Sequence, residues 1–178
     1  MNPEPYYPLP FHIISTGRFS PIADIIVATA GPTLASTAWG TNNRAIYAPV
    51  ALPARFTVAR FFAGNGADLT GNVDLGLYSE AGSLLLSTGA TARAGSNVVQ
   101  YVDATDTSFP AGRYYLACVL SSSAGTIRTT TLTTDTGKMC GMLQETLGGA
   151  TLAATMTPVT YAPSGVVFCF GFTQSGTV

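Results

Sequence analysis

Charge is scarce in this chain. Eight Lys+Arg and nine Asp+Glu make up 10% of 178 residues, with a net charge of −1; an ordinary globular chain carries roughly 25%. Neutralising phosphates takes clustered Lys and Arg, so nucleic-acid binding through a basic face is excluded, and an electrostatic membrane anchor with it. Histidine is scarcer still. His12 is the single one, so a Ser-His-Asp or Cys-His nucleophile would have to draw its base from a proline-rich segment, a poor place to hold one. No G-x-S-x-G and no phosphate-binding G-x-x-x-x-G-K-[ST] occurs. Cys118, Cys140 and Cys169 are odd in number and widely spaced, with no C-x-x-C. They suggest neither a zinc site nor a disulfide framework, and assembly in a reducing cytoplasm fits them. Cys118 and Cys169 lie in apolar runs and read as small buried hydrophobes. No run of 18 apolar residues is present, so no membrane-spanning helix is expected. The opening Met1-Asn2-Pro3-Glu4-Pro5 has neither the basic nor the apolar region expected of a secretory leader.

Apolar residues and hydroxyls take the place of charge. Hydrophobic residues are 47% and mean hydropathy is +0.32, which argues against charge-driven disorder. A monomer of 18.4 kDa exposes about 8,000 Å² by mass scaling, and the charged side chains cover about a quarter of that. The 25 Thr and 13 Ser cover much of the remainder, or contacts between subunits bury part of it.

Residues 1–20 form a proline-rich, extended N-terminal arm. Pro3, Pro5, Pro8 and Pro10 prevent helix and regular sheet. Tyr6, Tyr7, Leu9 and Phe11 are interleaved with them. A solvated linker would be polar, so these four are the candidate assembly contacts, anchors for a groove on a neighbouring subunit.

Residues 21–178 read as one all-β domain. β-branched and aromatic runs recur between Gly, Pro, Asn and Ser clusters, giving strands at 22–29, 44–50, 55–63, 72–79, 83–88, 97–104, 112–121, 126–132 and 165–173. Val73, Leu75 and Leu77 alternate with Asn72, Asp74 and Gly76, one buried face and one wet face. The run Arg113 to Leu120 is apolar on both faces, as in a central strand packed on both sides. Glu80-Ala81-Gly82 reads as a hairpin turn, and Pro110-Ala111 as a turn that launches a strand. Over Asp135 to Leu147, the spacing of Met139, Met142, Leu143 and Leu147 predicts a short helix closed by Gly148-Gly149. The fold class is a two-sheet antiparallel β-sandwich of jelly-roll type, with an immunoglobulin-like sandwich as the other topology.

Other chemistry is thin. Asp103 and Asp106 read as turn residues at a strand end, capping backbone N–H groups rather than acting as a catalytic pair. The Gly64 to Gly71 segment with Asp68 and Asp74 is a weak calcium pattern and reads better as a loop tip. Trp39, Tyr47, Tyr78, Tyr101 and Tyr114 are the aromatics from which a glycan platform would be built, or else core residues. The expectation is a protein that is not an enzyme, with no cofactor and no metal.

The middle of the chain carries a resemblance. It runs through Asn43-Arg-Ala-Ile-Tyr-Ala-Pro-Val50, Leu52-Pro-Ala-Arg-Phe-Thr-Val-Ala-Arg60, Gly71-Asn-Val-Asp-Leu-Gly-Leu-Tyr78, Gly82-Ser-Leu-Leu-Leu-Ser-Thr-Gly89, Val99-Gln-Tyr-Val-Asp103 and Phe109-Pro-Ala-Gly-Arg-Tyr-Tyr-Leu-Ala117. Over about residues 40–120 the chain resembles the jelly-roll β-sandwich domains of structural proteins in tailed bacteriophages: head-decoration (cement), head-fibre and tail-associated proteins. The resemblance implies a non-enzymatic virion protein, assembled in the bacterial host cytoplasm. It implies a homotrimer docked through its arm on the major capsid protein or another virion protein. Carbohydrate-binding sandwich modules share the same rhythm, so the alternative is a glycan- or receptor-binding sandwich of a phage fibre or tail.

Overall fold

The computed structural model describes residues 18–19, 34–131, 141–158, 160–161 and 166–174. Fourteen strands occur among them: β1 (Arg18–Phe19), β2 (Ala35–Ala38), β3 (Arg44–Leu52), β4 (Phe56–Gly64), β5 (Asn72–Ser79), β6 (Leu84–Ser87), β7 (Thr91–Ala92), β8 (Val99–Phe109), β9 (Gly112–Leu120), β10 (Thr126–Thr131), β11 (Leu143–Thr146), β12 (Thr160–Tyr161), β13 (Val166–Phe168) and β14 (Phe170–Gln174). The largest sheet runs β12-β11-β3-β9-β5-β6, with β7 also on β5. A second runs β1-β14-β4-β8 and a third β13-β10-β2, and the paired strands are antiparallel. The second and third sheets meet side by side at Cys169: its N–H donates to the Arg128 carbonyl (2.8 Å) and its carbonyl accepts from Gly64 N–H (2.7 Å).

The main core lies where these sheets face the large one. Ile46, Val50, Leu75, Leu77, Leu116 and Cys118 of the large sheet pack with Phe56, Val58, Phe61, Phe170 and Phe172 of the second and Ile127, Val167 and Phe168 of the third. This is a β-sandwich-like arrangement, as the alternating apolar patterns predict. Edge-on ring contacts, such as Phe61 to Phe172 (6.2 Å between centroids), fill the interior.

The doubly apolar run at Arg113 to Leu120 is indeed a central strand. β9 pairs β3 on one side and β5 on the other. Its Tyr114, Leu116, Cys118 and Leu120 join the main core, while Ala117 and Val119 join a second apolar cluster on the opposite face. The hairpin at Glu80-Ala81-Gly82 is also present, with Gly82 at φ +86°. That left-handed value favours glycine. Pro110-Ala111 joins β8 to β9 and carries the chain from one sheet to another.

Three expectations change. The helix over 135–147 is replaced, in its described part, by β11. Gly141 turns at φ +66°, and Leu143–Thr146 pairs Arg44–Tyr47. Met142 points into the main core and Leu143 and Leu147 into the second cluster. Only Leu143 of the three lies in β11, and Met142 and Leu147 flank it, so their helix-like spacing spans the strand and the residues on either side of it. The stretch holding Asp103 and Asp106 is not a turn: β8 continues to Phe109, and Asp103 sits opposite Arg60 with a 2.7 Å ion pair. The face of β5 read as wet is exposed only at Asn72: Asp74 is fully buried and Gly76 is buried with it, as is Tyr78 farther along the same face. The predicted strand 22–29, the segment 132–140 and the arm contacts Tyr6, Tyr7, Leu9 and Phe11 lie outside the described residues, as does His12. Arg18 and Phe19, at the end of the arm segment, pair Thr173 and Phe172 of β14.

Candidate functional site

Polar side chains buried in an apolar interior are where chemistry or architecture concentrates, because each must find partners. Two clusters meet that description here.

The first lies on the outer face of the large sheet, beneath residues 147–157. Alternation along β5 puts Asp74, Gly76 and Tyr78 on this face, and β3 adds Ala45 and Tyr47. The covering segment crosses them as a strap. Asp74 Oδ2 accepts the Leu152 N–H at 2.9 Å. Its Oδ1 accepts the hydroxyls of Ser87 (2.7 Å) and Thr88 (3.1 Å). Glu145, from β11, accepts the Tyr47 hydroxyl on Oε1. Its Oε2 accepts both the N–H (3.0 Å) and the hydroxyl (2.8 Å) of Thr157. Tyr78 donates to the Ala153 carbonyl at 2.7 Å, and its ring meets that of Tyr47 edge-on at 5.4 Å. Burial, with the Glu145 and Asp74 charges adding to it, pushes the Tyr78 hydroxyl up to about 12; burial and the bond to Glu145 push Tyr47 higher than any ordinary tyrosine. Backbone bonds from Leu84 N–H to Ala154 O and from Met156 N–H to Gly82 O complete the seam, both 2.9 Å. Leu152 fills the space over Gly76. A Cβ built there would stand 2.7 Å from both Leu152 Cδ1 and the Leu86 carbonyl oxygen.

The second cluster surrounds Arg93, which is 8% exposed. Its guanidinium donates to Asn65 Oδ1 from Nε (3.2 Å) and Nη2 (3.0 Å), to the Asp68 carbonyl (3.0 Å) and to the Thr126 carbonyl. Asn65, fully buried, donates in turn to the Ala94 carbonyl (2.7 Å) and to Gln100 Oε1 (2.9 Å). Burial pulls the Arg93 pKa below the ordinary guanidinium value, and the Asp68 charge works the other way. Asp68 itself is held below the usual carboxylate range by its hydrogen bonds to Thr70.

The sequence-predicted residues are dispersed. Asp68 and Asp74 do not share a site: one binds Thr70 N–H in a loop (2.7 Å), the other lies under the strap. No group of three or more potential metal-ligating side chains occurs among the described residues. Of the five candidate aromatics, Trp39, Tyr47, Tyr78 and Tyr114 are buried and Tyr101 is 40% exposed. Trp39 instead packs 4.6 Å from Phe168 and lies 5.4 Å from the Arg44 guanidinium. Cys118 and Cys169 are buried free thiols. Burial raises both, Cys169 to about 11.

The buried, loop-holding roles of Asp74, Glu145, Asn65 and Arg93 escaped the sequence reading. The available signal was the row Asp74, Gly76, Tyr78: an acid and a large phenol flanking a glycine leaves a slot that a covering chain can fill. What this geometry does chemically is hold loops. Asp74 and Glu145 meet neutral donors of the covering segment, and Arg93 meets neutral acceptors in the Asn65 to Asp68 stretch and at the start of β10. Compared with known proteins, the chain matches no protein-family model and no curated sequence.

Proposed function

We propose that this protein is a structural, non-enzymatic component of a tailed-bacteriophage virion, a jelly-roll capsid decoration (cement) protein. It docks through its N-terminal arm, with Tyr6, Tyr7, Leu9 and Phe11 as anchors, onto the major capsid protein or another virion protein. It acts as a homotrimer and stabilises the assembled particle by mass action. One observation carries the non-enzymatic part of this reading. The three charged side chains buried among the described residues, Asp74, Glu145 and Arg93, are all engaged in tying a loop to a sheet. The passage of successive strands between facing sheets, β3 to β4 to β5 and β8 to β9, supports the jelly-roll topology. The resemblance over residues 40–120 supports the virion assignment, and a low-charge surface keeps ion desolvation small where subunits meet.

A glycan- or receptor-binding role for a phage fibre or tail is the second reading. It has Tyr101 to build on, exposed beside Val98 and Val99. An antibody to the chain should label intact virions encoded by the same genome, and light scattering should give a trimer. A monomer that labels no particle and binds glycans on an array would replace the first reading with the second.

A further inference from the structure

Asn65-Gly66 is the one Asn-Gly pair in the sequence. This dipeptide deamidates readily in open chains, because glycine leaves its own amide nitrogen unshielded and its backbone free to turn. The Gly66 nitrogen attacks Asn65 Cγ and forms the C–N bond of a succinimide. The Cγ–Nδ2 bond breaks and Nδ2 leaves as ammonia, taking up the proton that Gly66 N releases. Water then opens the ring to aspartate or isoaspartate, with no change of oxidation state.

The fold closes every part of that route. To reach Gly66 N, the Asn65 amide must rotate, yet it is held by four bonds. Oδ1 accepts from Arg93 Nε and Nη2, and Nδ2 donates to the Ala94 carbonyl and to Gln100. The attacking nitrogen is occupied as well, since the Gly66 N–H donates to the Thr126 carbonyl at 2.9 Å. Water has no access: Asn65 is fully buried and Gly66 is buried beside it. There is no slack around Gly66 either, because a Cβ there would stand 2.3 Å from Ser36 Oγ and 2.4 Å from Thr126 Oγ1.

The products do not fit back. Aspartate would keep one carboxylate oxygen on Arg93 but turn the other toward the Ala94 carbonyl and Gln100 Oε1, where the amide nitrogen now donates. Isoaspartate would insert an extra carbon into the backbone where Asn65 bridges Ile127 and its N–H bonds the Val98 carbonyl at 2.9 Å. We infer that Asn65-Gly66 is a modification site gated by the fold. It deamidates only in chains that have opened the Arg93 cluster, and the conversion bars them from closing again. The site distinguishes chains that stay folded from chains that linger open, and it marks the latter irreversibly.

The test uses the full chain, half kept folded and half unfolded in urea, in the same mildly alkaline buffer. Peptide mapping by mass spectrometry follows aspartate and isoaspartate at Asn65 over time. Deamidation in the folded sample is expected to be slower by at least about a hundredfold, the population factor of a costly opening. After removal of urea, unmodified chains are expected to refold and chains modified at Asn65 to remain unfolded, as read by tryptophan fluorescence and gel filtration. Equal rates in the two samples would overturn the inference. So would deamidated chains that regain the native elution volume and the native urea midpoint.

Discussion

Asp74 and Glu145 are two acids that sit under the strap, and among the described residues their hydrogen-bond partners are all neutral. Each works as a multiple acceptor, and removing one leaves donors stranded in an apolar layer. Asp74→Ala strands the Leu152 N–H and the Ser87 hydroxyl, while the Thr88 hydroxyl keeps the Gly89 carbonyl, and urea unfolding should register a loss of about 3 kcal/mol. Titration gives a second prediction at this scale. Cys169 and Tyr78 are both raised in the folded chain, to about 11 and about 12. The unfolded chain therefore loses those protons first as pH rises. Their contribution is complete below about pH 9, the ordinary thiol value, declines through pH 11, and the tyrosine share follows through pH 12. Thermal unfolding followed from pH 8 to alkaline values should show a falling midpoint, and thiol reagents should leave Cys118 and Cys169 unlabelled in the folded chain at neutral pH. The two thiols were legible in the sequence because they sit inside apolar runs. Asp74 was not, because period-two reasoning equates a polar residue with a wet face, and the chain that dries it arrives 78 residues later.

The strap, residues 147–157, is the element that turns a two-faced sheet into a buried layer. Leu152, 4% exposed, is its one fully inserted apolar side chain. Leu152→Ala should cost about 2–4 kcal/mol. Gly76→Ala attacks the same contact from the sheet side. Its new methyl meets Leu152 and the Leu86 carbonyl, so a loss of about 1–3 kcal/mol is expected by overpacking. Both variants should admit protease at Gly148-Gly149 sooner than the parent chain does, and an unchanged cleavage rate would separate the strap from the stability of the sheet. Strands whose apolar residues recur with period two or in unbroken runs were readable to within a few residues, as at 44–50 and 72–79. β11 was not, because its own residues Leu143 to Thr146 hold one apolar side chain, and Met142 and Leu147 on either side of it complete the spacing of a helix. β8 was cut short for a different reason: an exposed strand studded with Asp and Thr has the composition of a turn.

For the molecule as a whole, the scarcity of charge has a measurable counterpart. The ion pairs among the described residues, Arg60–Asp103 at 2.7 Å and Arg113–Glu80 at 3.6 Å, are both exposed, and such pairs contribute little. The unfolding midpoint should therefore move by no more than about 2 °C between about 0.02 and 0.5 M NaCl. A larger drop with salt would mean that ion pairs matter more than this geometry allows. Composition had pointed to subunit contacts as the destination of so many neutral residues. Part of the answer is internal, since the large sheet buries both of its faces within one chain.

The place of β9 also imposes an order in time. β3 and β5 never touch as ladder neighbours; β9 lies between them, and it is made later than either. On the ribosome, residues 44–52 and 72–79 must leave the exit tunnel and wait until residue 120 has emerged before the middle of the sheet can close. During that interval two apolar strands stand with open edges. The length of that interval is set by the speed of synthesis from residue 80 to residue 120, so slower translation there leaves the two edges open to aggregation for longer.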